Sequence, residues 1–101
     1  MAQYFNITGE LTQELLKVGN NSRISKISLT NIHSTSMCTV DLYIEKKLKG
    51  KFYLLKGVEL PIGATFTHSG MAFDNSTNGF ALYIKLNNSA SETPAVDVIL
   101  Q

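Results

Sequence analysis

A chain of 101 residues, 44% hydrophobic and 17% charged, is long enough for one two-layer domain and too apolar for a disordered segment. Its formal net charge of +1 excludes the strong overall field with which basic proteins attract nucleic acid or anionic membranes. A single cysteine excludes an internal disulfide. Together with an N-terminus that lacks the features of a signal peptide, this predicts a protein made in a reducing cytoplasm. No run approaches the roughly 18 apolar residues of a membrane span.

The first twenty residues contain two candidate strands, residues 3–8 and 10–18, with a break at Gly9. The apolar spacing of the second also fits a short helix. A strand is favoured because the Gly-Asn-Asn run that follows is typical of a hairpin turn into the next strand. Residues 1–20 are therefore predicted to form an N-terminal strand or arm, and residues 21–101 a β-sandwich, within a single domain.

The next part of the chain alternates apolar and polar residues, as a strand with one buried face does. Residues 23–30 show a phase slip between Ile24 and Ile27, which predicts a β-bulge. In residues 38–44 the alternation is strict, and Cys38 falls on the apolar side. A buried cysteine of this kind behaves as a small hydrophobe, so a core role is favoured over that of a nucleophile.

A further strand is predicted over residues 51–56, with Tyr53 and Leu55 on its outward face. An apolar corner follows, because Pro61 cannot donate to a central ladder and Gly63 can adopt the backbone angles of a turn. Between them, Ile62 is expected to fill one open end of the fold.

Three more strands are predicted over residues 65–73, 80–86 and 96–100. About seven or eight short strands, with turn signals about every 8–12 residues and no secure helix, are typical of an antiparallel sandwich. The sequence therefore predicts an all-β fold, an antiparallel β-sandwich of jelly-roll or immunoglobulin-like topology.

No pattern of residues predicts catalysis, a metal site or a cofactor. His33 and His68 lie in separate Ser/Thr-flanked segments, the carboxylates are scattered, and no nucleophile motif or phosphate-binding glycine loop occurs. Residues 74–78 are rich in oxygen ligands, but the same residue types are the commonest turn formers, so a turn is favoured over a calcium site. The protein is expected not to be an enzyme.

The outward phases of the strands carry more large apolar side chains than a monomer needs, among them Tyr43, Tyr53, Leu55, Tyr83 and Ile99. Four lysines in residues 46–51 mark a hairpin tip. This tip is interpreted as a solvated guard against edge pairing or as a site that docks to an acidic protein; a nucleic-acid site is disfavoured because arginine is lacking. The candidate interface residues are Tyr4, Phe5, Leu15, Leu16, Tyr43, Lys46, Lys47, Lys49, Lys51, Tyr53 and Tyr83.

Several segments together resemble small virion proteins of tailed bacteriophages, especially marine and cyanobacterial phages. The resemblance covers roughly residues 22–100 and rests on four motifs, Ile27-Ser28-Leu29-Thr30-Asn31, Val40-Asp41-Leu42-Tyr43-Ile44, the segment from Tyr53 through the Leu60–Gly63 corner to Thr65, and Val96-Asp97-Val98-Ile99. It implies a sandwich without catalytic residues. The first twenty residues have no counterpart in it and are interpreted as an extension that can add a strand to a neighbour.

The resemblance implies a non-enzymatic virion structural protein, made in the host cytoplasm and assembled into the particle. A capsid decoration or cement protein is favoured, with a neck, tail or fibre-attachment component as the alternative. The expected partners are other virion proteins, such as the major capsid protein, and further copies of the chain, but neither nucleic acid nor a membrane. A carbohydrate-binding sandwich is a second alternative, supported by the three outward tyrosines and the Asn-rich loops at 75–79 and 87–91 and weakened by the absence of tryptophan.

Overall fold

A computed structural model describes residues 3–18, 23–46, 48–74, 79–88 and 92–101. The described part of the chain is all β, which confirms the predicted fold class. The predicted strands all appear, most with slightly different ends. They are β1 (Gln3–Thr8), β2 (Gln13–Leu16), β3 (Arg23–Asn31), β4 (Cys38–Lys46), β5 (Gly50–Leu60), β6 (Thr65–Asp74), β7 (Ala81–Asn87) and β8 (Ala95–Leu100).

The strands form two four-stranded antiparallel sheets. Sheet 1 has the order β1-β8-β3-β6 and sheet 2 the order β2-β7-β4-β5. The first strand therefore pairs with the last, the second with the seventh, the third with the sixth and the fourth with the fifth. One long hairpin rolled into two layers has this arrangement, which is the jelly roll. Of the two predicted topologies, the structure has this one.

The first twenty residues are part of both sheets. β1 lies along β8 in sheet 1, and β2 lies along β7 in sheet 2. The predicted division between an arm and a sandwich at residue 20 therefore has no counterpart over residues 3–16. The predicted hairpin between β2 and β3 is also wrong, because these two strands lie in different sheets.

The core lies between the sheets and consists almost wholly of aliphatic side chains. Cys38 belongs to it, as predicted, with 2% of its surface exposed. Burying each valine, leucine or isoleucine removes enough apolar surface from water to stabilise the fold by about 1.5–3 kcal/mol. The most fully buried side chains are Leu16, Ile27, Leu29, Val40, Leu42, Leu60, Leu82, Ile84, Leu86, Val96, Val98 and Leu100.

Leu15 and Leu16 both lie in this core, so their predicted role at an interface is wrong. Adjacent residues of a regular strand face opposite sides, but the pairing of β2 with β7 shifts register between Glu14 and Leu16. This irregularity lets two consecutive leucines point inward.

Bulges change which residues face inward at two other places. In β3 the register shifts between Ile24 and Lys26, as the sequence predicted. In β5, which is an edge strand, the pairing with β4 shifts twice. Leu55 then pairs with Leu42 and lies in the core, so its predicted outward position is wrong. Gly57, with a φ of 62°, occupies the second irregularity. Bulges of this kind also blunt an exposed edge.

Four connections between the sheets meet at one end of the sandwich; their described residues are 9–12, 32–37, 61–64, and 88 with 92–94. Backbone bonds join them, since Gly9 N–H donates to Pro94 O at 3.0 Å and Ile32 N–H donates to Ala95 O at 3.0 Å. The opposite end carries the β4–β5 hairpin. These are called the four-connection end and the hairpin end.

A buried amide organises the apolar corner at the four-connection end. The Asn31 side chain donates to Leu60 O at 2.9 Å and to Ser36 O at 3.1 Å, and its oxygen accepts from His33 N–H at 2.9 Å. Gly63, with a φ of 72°, donates its N–H to Asn31 O. Ile62 is 51% exposed, so the expectation that it fills the end of the fold is wrong.

Candidate protein-docking surface

Three tyrosines form a continuous row across the outer face of sheet 2. Tyr83 on β7 lies beside Tyr43 on β4, which lies beside Tyr53 on β5. The ring centroids of Tyr43 and Tyr83 are 5.4 Å apart and nearly stacked, and those of Tyr43 and Tyr53 are 5.2 Å apart and tilted. Leu42, which precedes Tyr43 on β4, is fully buried and points into the core. Since successive strand residues point to opposite sides, the tyrosine row faces away from the core. The structure thus brings together the three tyrosines that the sequence predicted to face outward.

Two lysines cover the row. Lys51 Nζ lies 5.0 Å from the centre of the Tyr43 ring, and Lys56 Nζ lies 4.6 Å from that of Tyr53. Both distances are within reach of a cation–π attraction. Tyr43 is only 6% exposed, whereas Tyr53 is 45% exposed. Tyr43 is therefore too buried for the contact role that was predicted for it. It packs against its neighbours in the row, and Tyr53 offers the ring that a partner can touch.

A carboxylate lies at each end of the tyrosine row. At the β5 side, Asp41 lies 3.7 Å from Lys56 Nζ and accepts the Gly57 N–H at 2.7 Å. At the β2 side, burial raises the pKa of Tyr83, and the charge of Glu14 and its hydrogen bond to the phenol raise it further. In this hydrogen bond the phenol is the donor and the Glu14 carboxylate the acceptor.

The lysine hairpin, residues 46–51, presents an apolar side chain at its tip. Lys49 N–H donates to Lys46 O at 3.0 Å and closes the turn. Leu48 has a φ of 71° and is 98% exposed. Turns usually place Gly at such a position, because a Cβ makes it costly, or Asn, which tolerates the left-handed conformation better than other residues. Sequence reasoning missed Leu48, although one leucine among four lysines was a visible signal.

The lysines of the hairpin differ in how much of their surface is exposed to solvent. Lys49 and Lys51 are exposed, while Lys46 is half-buried with its Nζ 5.7 Å from the centre of the Phe80 ring. Phe80 contacts Phe52 edge to face at 6.0 Å, and Phe52 is 50% exposed. Lys47, also predicted for the interface, lies outside the described residues.

The remaining predicted interface residues lie elsewhere. Tyr4 is 72% exposed on the outer face of sheet 1, on the far side of the sandwich from the tyrosine row. Phe5 is partly buried and packs against the core, so its predicted contact role stays a prediction. The described residues of the lysine hairpin and Tyr53 remain as one surface at the hairpin end, here called the docking surface. Phe52 is not part of it, because it pairs with Ile44 and so points to the opposite side of β5 from Tyr53.

The described residues contain no group of three His, Cys, Asp or Glu side chains that could hold a metal ion. Burial raises the pKa of the Cys38 thiol, which keeps it in the weakly nucleophilic neutral form. Within the described ranges there is also no helix long and apolar enough to cross a membrane.

Neither a protein-family model nor a curated protein sequence matches the chain. Among solved structures, the chain is similar to the Yersinia pseudotuberculosis-derived mitogen. The superposition covers 100% of this chain and 85% of the mitogen with a TM-score of 0.60, but the two sequences are only 11% identical. At this identity the similarity shows a shared β-sandwich fold.

Proposed function

We propose that the protein is a structural component of a tailed-bacteriophage virion, a capsid decoration protein that has no enzymatic activity. The resemblance of residues 22–100 to small virion proteins supports the assignment to a particle. A jelly roll is also a recurrent fold of viral capsid proteins. The protein attaches through the docking surface to an acidic patch on another virion protein.

The conformation of Leu48 is the observation that carries this proposal. Holding a leucine at a φ of 71° costs of order 1–2 kcal/mol, and full exposure returns no burial energy to the free protein. The strained conformation of Leu48 stabilises nothing in the isolated chain. A contact that Leu48 makes in a complex would explain it. There, Leu48 would enter an apolar pocket while the lysines on either side meet carboxylates.

The protein exposes enough surface for an attachment of this kind. A standard interface takes about 800 Å² from each partner, which is about one-seventh of the 5786 Å² that this protein exposes. Leu48 and Tyr53 supply exposed apolar area at the hairpin end, and aromatic side chains are enriched in interfaces. Neighbouring copies also associate in this proposal, through the exposed Lys51 of β5 and the exposed Glu14 of β2 on the outer face of sheet 2.

The proposal is tested first on purified virions. Mass spectrometry should find the protein in the particle at a copy number comparable to that of the repeating units of the capsid. A few copies per particle would instead support a neck, tail or fibre-attachment component. Absence of the protein from the particle would overturn the proposal.

Attachment is tested with particles that lack the protein, to which the purified protein is added back. Leu48→Ser should reduce binding at least tenfold, in line with loss of a hot-spot residue. The matched control is Ile62→Ser, which removes an equally apolar side chain, 51% exposed, at the opposite end of the sandwich. Equal binding by both variants would contradict docking through the hairpin end.

A carbohydrate-binding module remains the alternative from a different class. Its original support, the tyrosine row, is reduced by the Lys56 ammonium that lies over the Tyr53 ring. Saturable glycan binding by the isolated protein, lost in Tyr53→Ala, would favour this alternative.

A further inference from the structure

A cavity of about 270 Å³ opens at the four-connection end, far from the docking surface. It lies where β4 begins and β7 ends, beside the connection between β1 and β2. Polar and apolar groups both line it, from Glu10, Met37, Cys38, Thr39, Asn87 and Asn88. Neither the fold nor the proposed attachment to a capsid requires this opening.

Backbone pairing and hydrogen bonds hold the polar groups of the cavity in place. Thr39 and Asn87 are direct partners across β4 and β7. Lys85 Nζ donates to the Asn87 side-chain oxygen at 2.7 Å, which orients that amide. Glu10 Oε2 accepts the Asn88 N–H at 2.9 Å, which fixes the carboxylate at the rim. The polar groups are therefore ordered before any ligand arrives, which lowers the entropic cost of binding.

The chemistry of the lining suits a small hydroxylated molecule. The Glu10 carboxylate accepts hydrogen bonds, the Asn87 amide and the Thr39 hydroxyl provide both donors and acceptors, and these groups match the hydroxyls of a sugar. Met37 and Cys38 supply an apolar wall for the C–H face of a ring. Cavities for drug-sized ligands measure roughly 300–1,000 Å³, so this one is suited to a single ring.

We infer that this cavity binds one neutral pyranose unit, as a free monosaccharide or as the terminal residue of a glycan. A neutral sugar is favoured over an acidic one because the Glu10 carboxylate is the charged group among the residues that line the cavity. The inference is independent of the proposed virion role, since it concerns the other end of the molecule.

The test is a titration of the ¹⁵N-labelled protein with the methyl glycosides of glucose, galactose, mannose and N-acetylglucosamine at millimolar concentrations. At least one glycoside should shift the amide resonances of Cys38, Thr39 and Asn87 saturably and leave that of Leu48 unchanged. If none of the four shifts these resonances, or if the shifts appear only around the tyrosine row, the inference is wrong.

Two matched comparisons sharpen the test. Thr39→Val keeps the side-chain shape and removes the hydroxyl, so binding should weaken about three- to tenfold. Thr67→Val makes the same change on the exposed outer face of sheet 1 and should leave binding unaltered. Glucuronate differs from glucose only in its carboxylate and should bind at least tenfold more weakly. Equal affinity of the Thr39→Val and Thr67→Val proteins would overturn the assignment to this cavity.

Discussion

The two outer faces of this sandwich follow the same strand geometry and carry different chemistry. On sheet 2, aromatic rings stand side by side under lysine ammonium groups. On sheet 1, the outward positions of β3 and β6 are small hydroxyl residues, whereas β1 and β8 carry Tyr4 and Ile99. Ser28 pairs with Thr67, and Thr30 pairs with Thr65 at 2.8 Å between their hydroxyl oxygens.

The difference shows that strand alternation predicts which side chains face outward but not what an outer face does. Large aromatic side chains contribute contact area to a partner, whereas serine is depleted in interfaces. Cross-strand aromatic pairs also stabilise a sheet by roughly 0.2–1 kcal/mol each. The tyrosine row therefore has a structural part, Tyr43, and an available part, Tyr53, and only the second can act in docking.

The largest expected effect tests whether the two sheets are equally well packed against the core. Leu29 lies beneath the face of sheet 1 and Leu42 beneath that of sheet 2, and both have 0% of their surface exposed. Leu29→Ala and Leu42→Ala should each lower the free energy of unfolding by about 2–5 kcal/mol, through lost burial and a residual cavity. Urea denaturation measures both. A loss below about 1 kcal/mol in only one of them would show that the sheets are not equally packed.

A second pair of variants compares the central positions of the two outer faces. Tyr43→Ala should cost about 2–3 kcal/mol, because it removes contacts with two rings and with the Lys51 ammonium. Ser28→Ala should stay within about 0.5 kcal/mol, as surface substitutions usually do. Thermal denaturation followed by circular dichroism distinguishes the two. Equal small effects would mean that the tyrosine row contributes nothing to the stability of the free protein.

A smaller effect of opposite sign is expected at the hairpin tip. Leu48→Gly should raise the free energy of unfolding by about 1 kcal/mol, because glycine adopts a φ of 71° without strain. Leu48→Ala keeps a Cβ, so its stability should match that of the unchanged protein. Both variants should lose attachment to particles. Urea denaturation measures the backbone strain at Leu48, and particle binding measures its contact with the partner. A Leu48→Gly protein that is less stable than the unchanged protein would show that the backbone is not strained at this position.

The sequence predicted the structure well where the apolar and polar residues of a strand alternate without interruption. The strict alternation in β4, β7 and β8 predicted their positions because each position had one consistent environment. Sequence reasoning failed where the register shifts: at Leu15 and Leu16 in β2, and at Leu55 in β5. A bulge reverses the inward phase without changing the residue pattern, so periodicity alone cannot place it.

The docking surface was partly predictable for the same reason. Tyr53 and the exposed lysines could be assigned from their phase and from their position in a hairpin. The role of Leu48 depends on its φ angle and exposure, which the sequence does not contain. The cavity at the four-connection end escaped prediction because its lining comes from three distant segments, around Glu10, Cys38 and Asn87.

The smallest expected effect concerns a link between two connections that run between the sheets. Glu92, in the connection from β7 to β8, accepts hydrogen bonds from the hydroxyls of Ser36 and Thr35, in the connection from β3 to β4. These bonds, first that of Ser36 and then that of Thr35, lower the pKa of Glu92, and the nearby His33 adds to the effect. A lowered pKa in the folded state means that ionised Glu92 stabilises the fold above the pKa of an unfolded chain. This contribution disappears as the pH falls through the lower folded value.

The variant Glu92→Gln makes this dependence measurable. It should be less stable than the unchanged protein at pH 7, and the difference between their urea midpoints should narrow as the pH is lowered toward 3. Ser36→Ala removes the main donor, so it should lower the pH 7 midpoint as well, and adding Glu92→Gln to it should have a smaller further effect than in the unchanged protein. A midpoint difference that stays constant from pH 7 to pH 3 would show that the carboxylate does not join the two connections. The connections at this end would then be held together without Glu92, by the side chain of Asn31, by the backbone bonds and by the Glu10 carboxylate that accepts the Asn88 N–H.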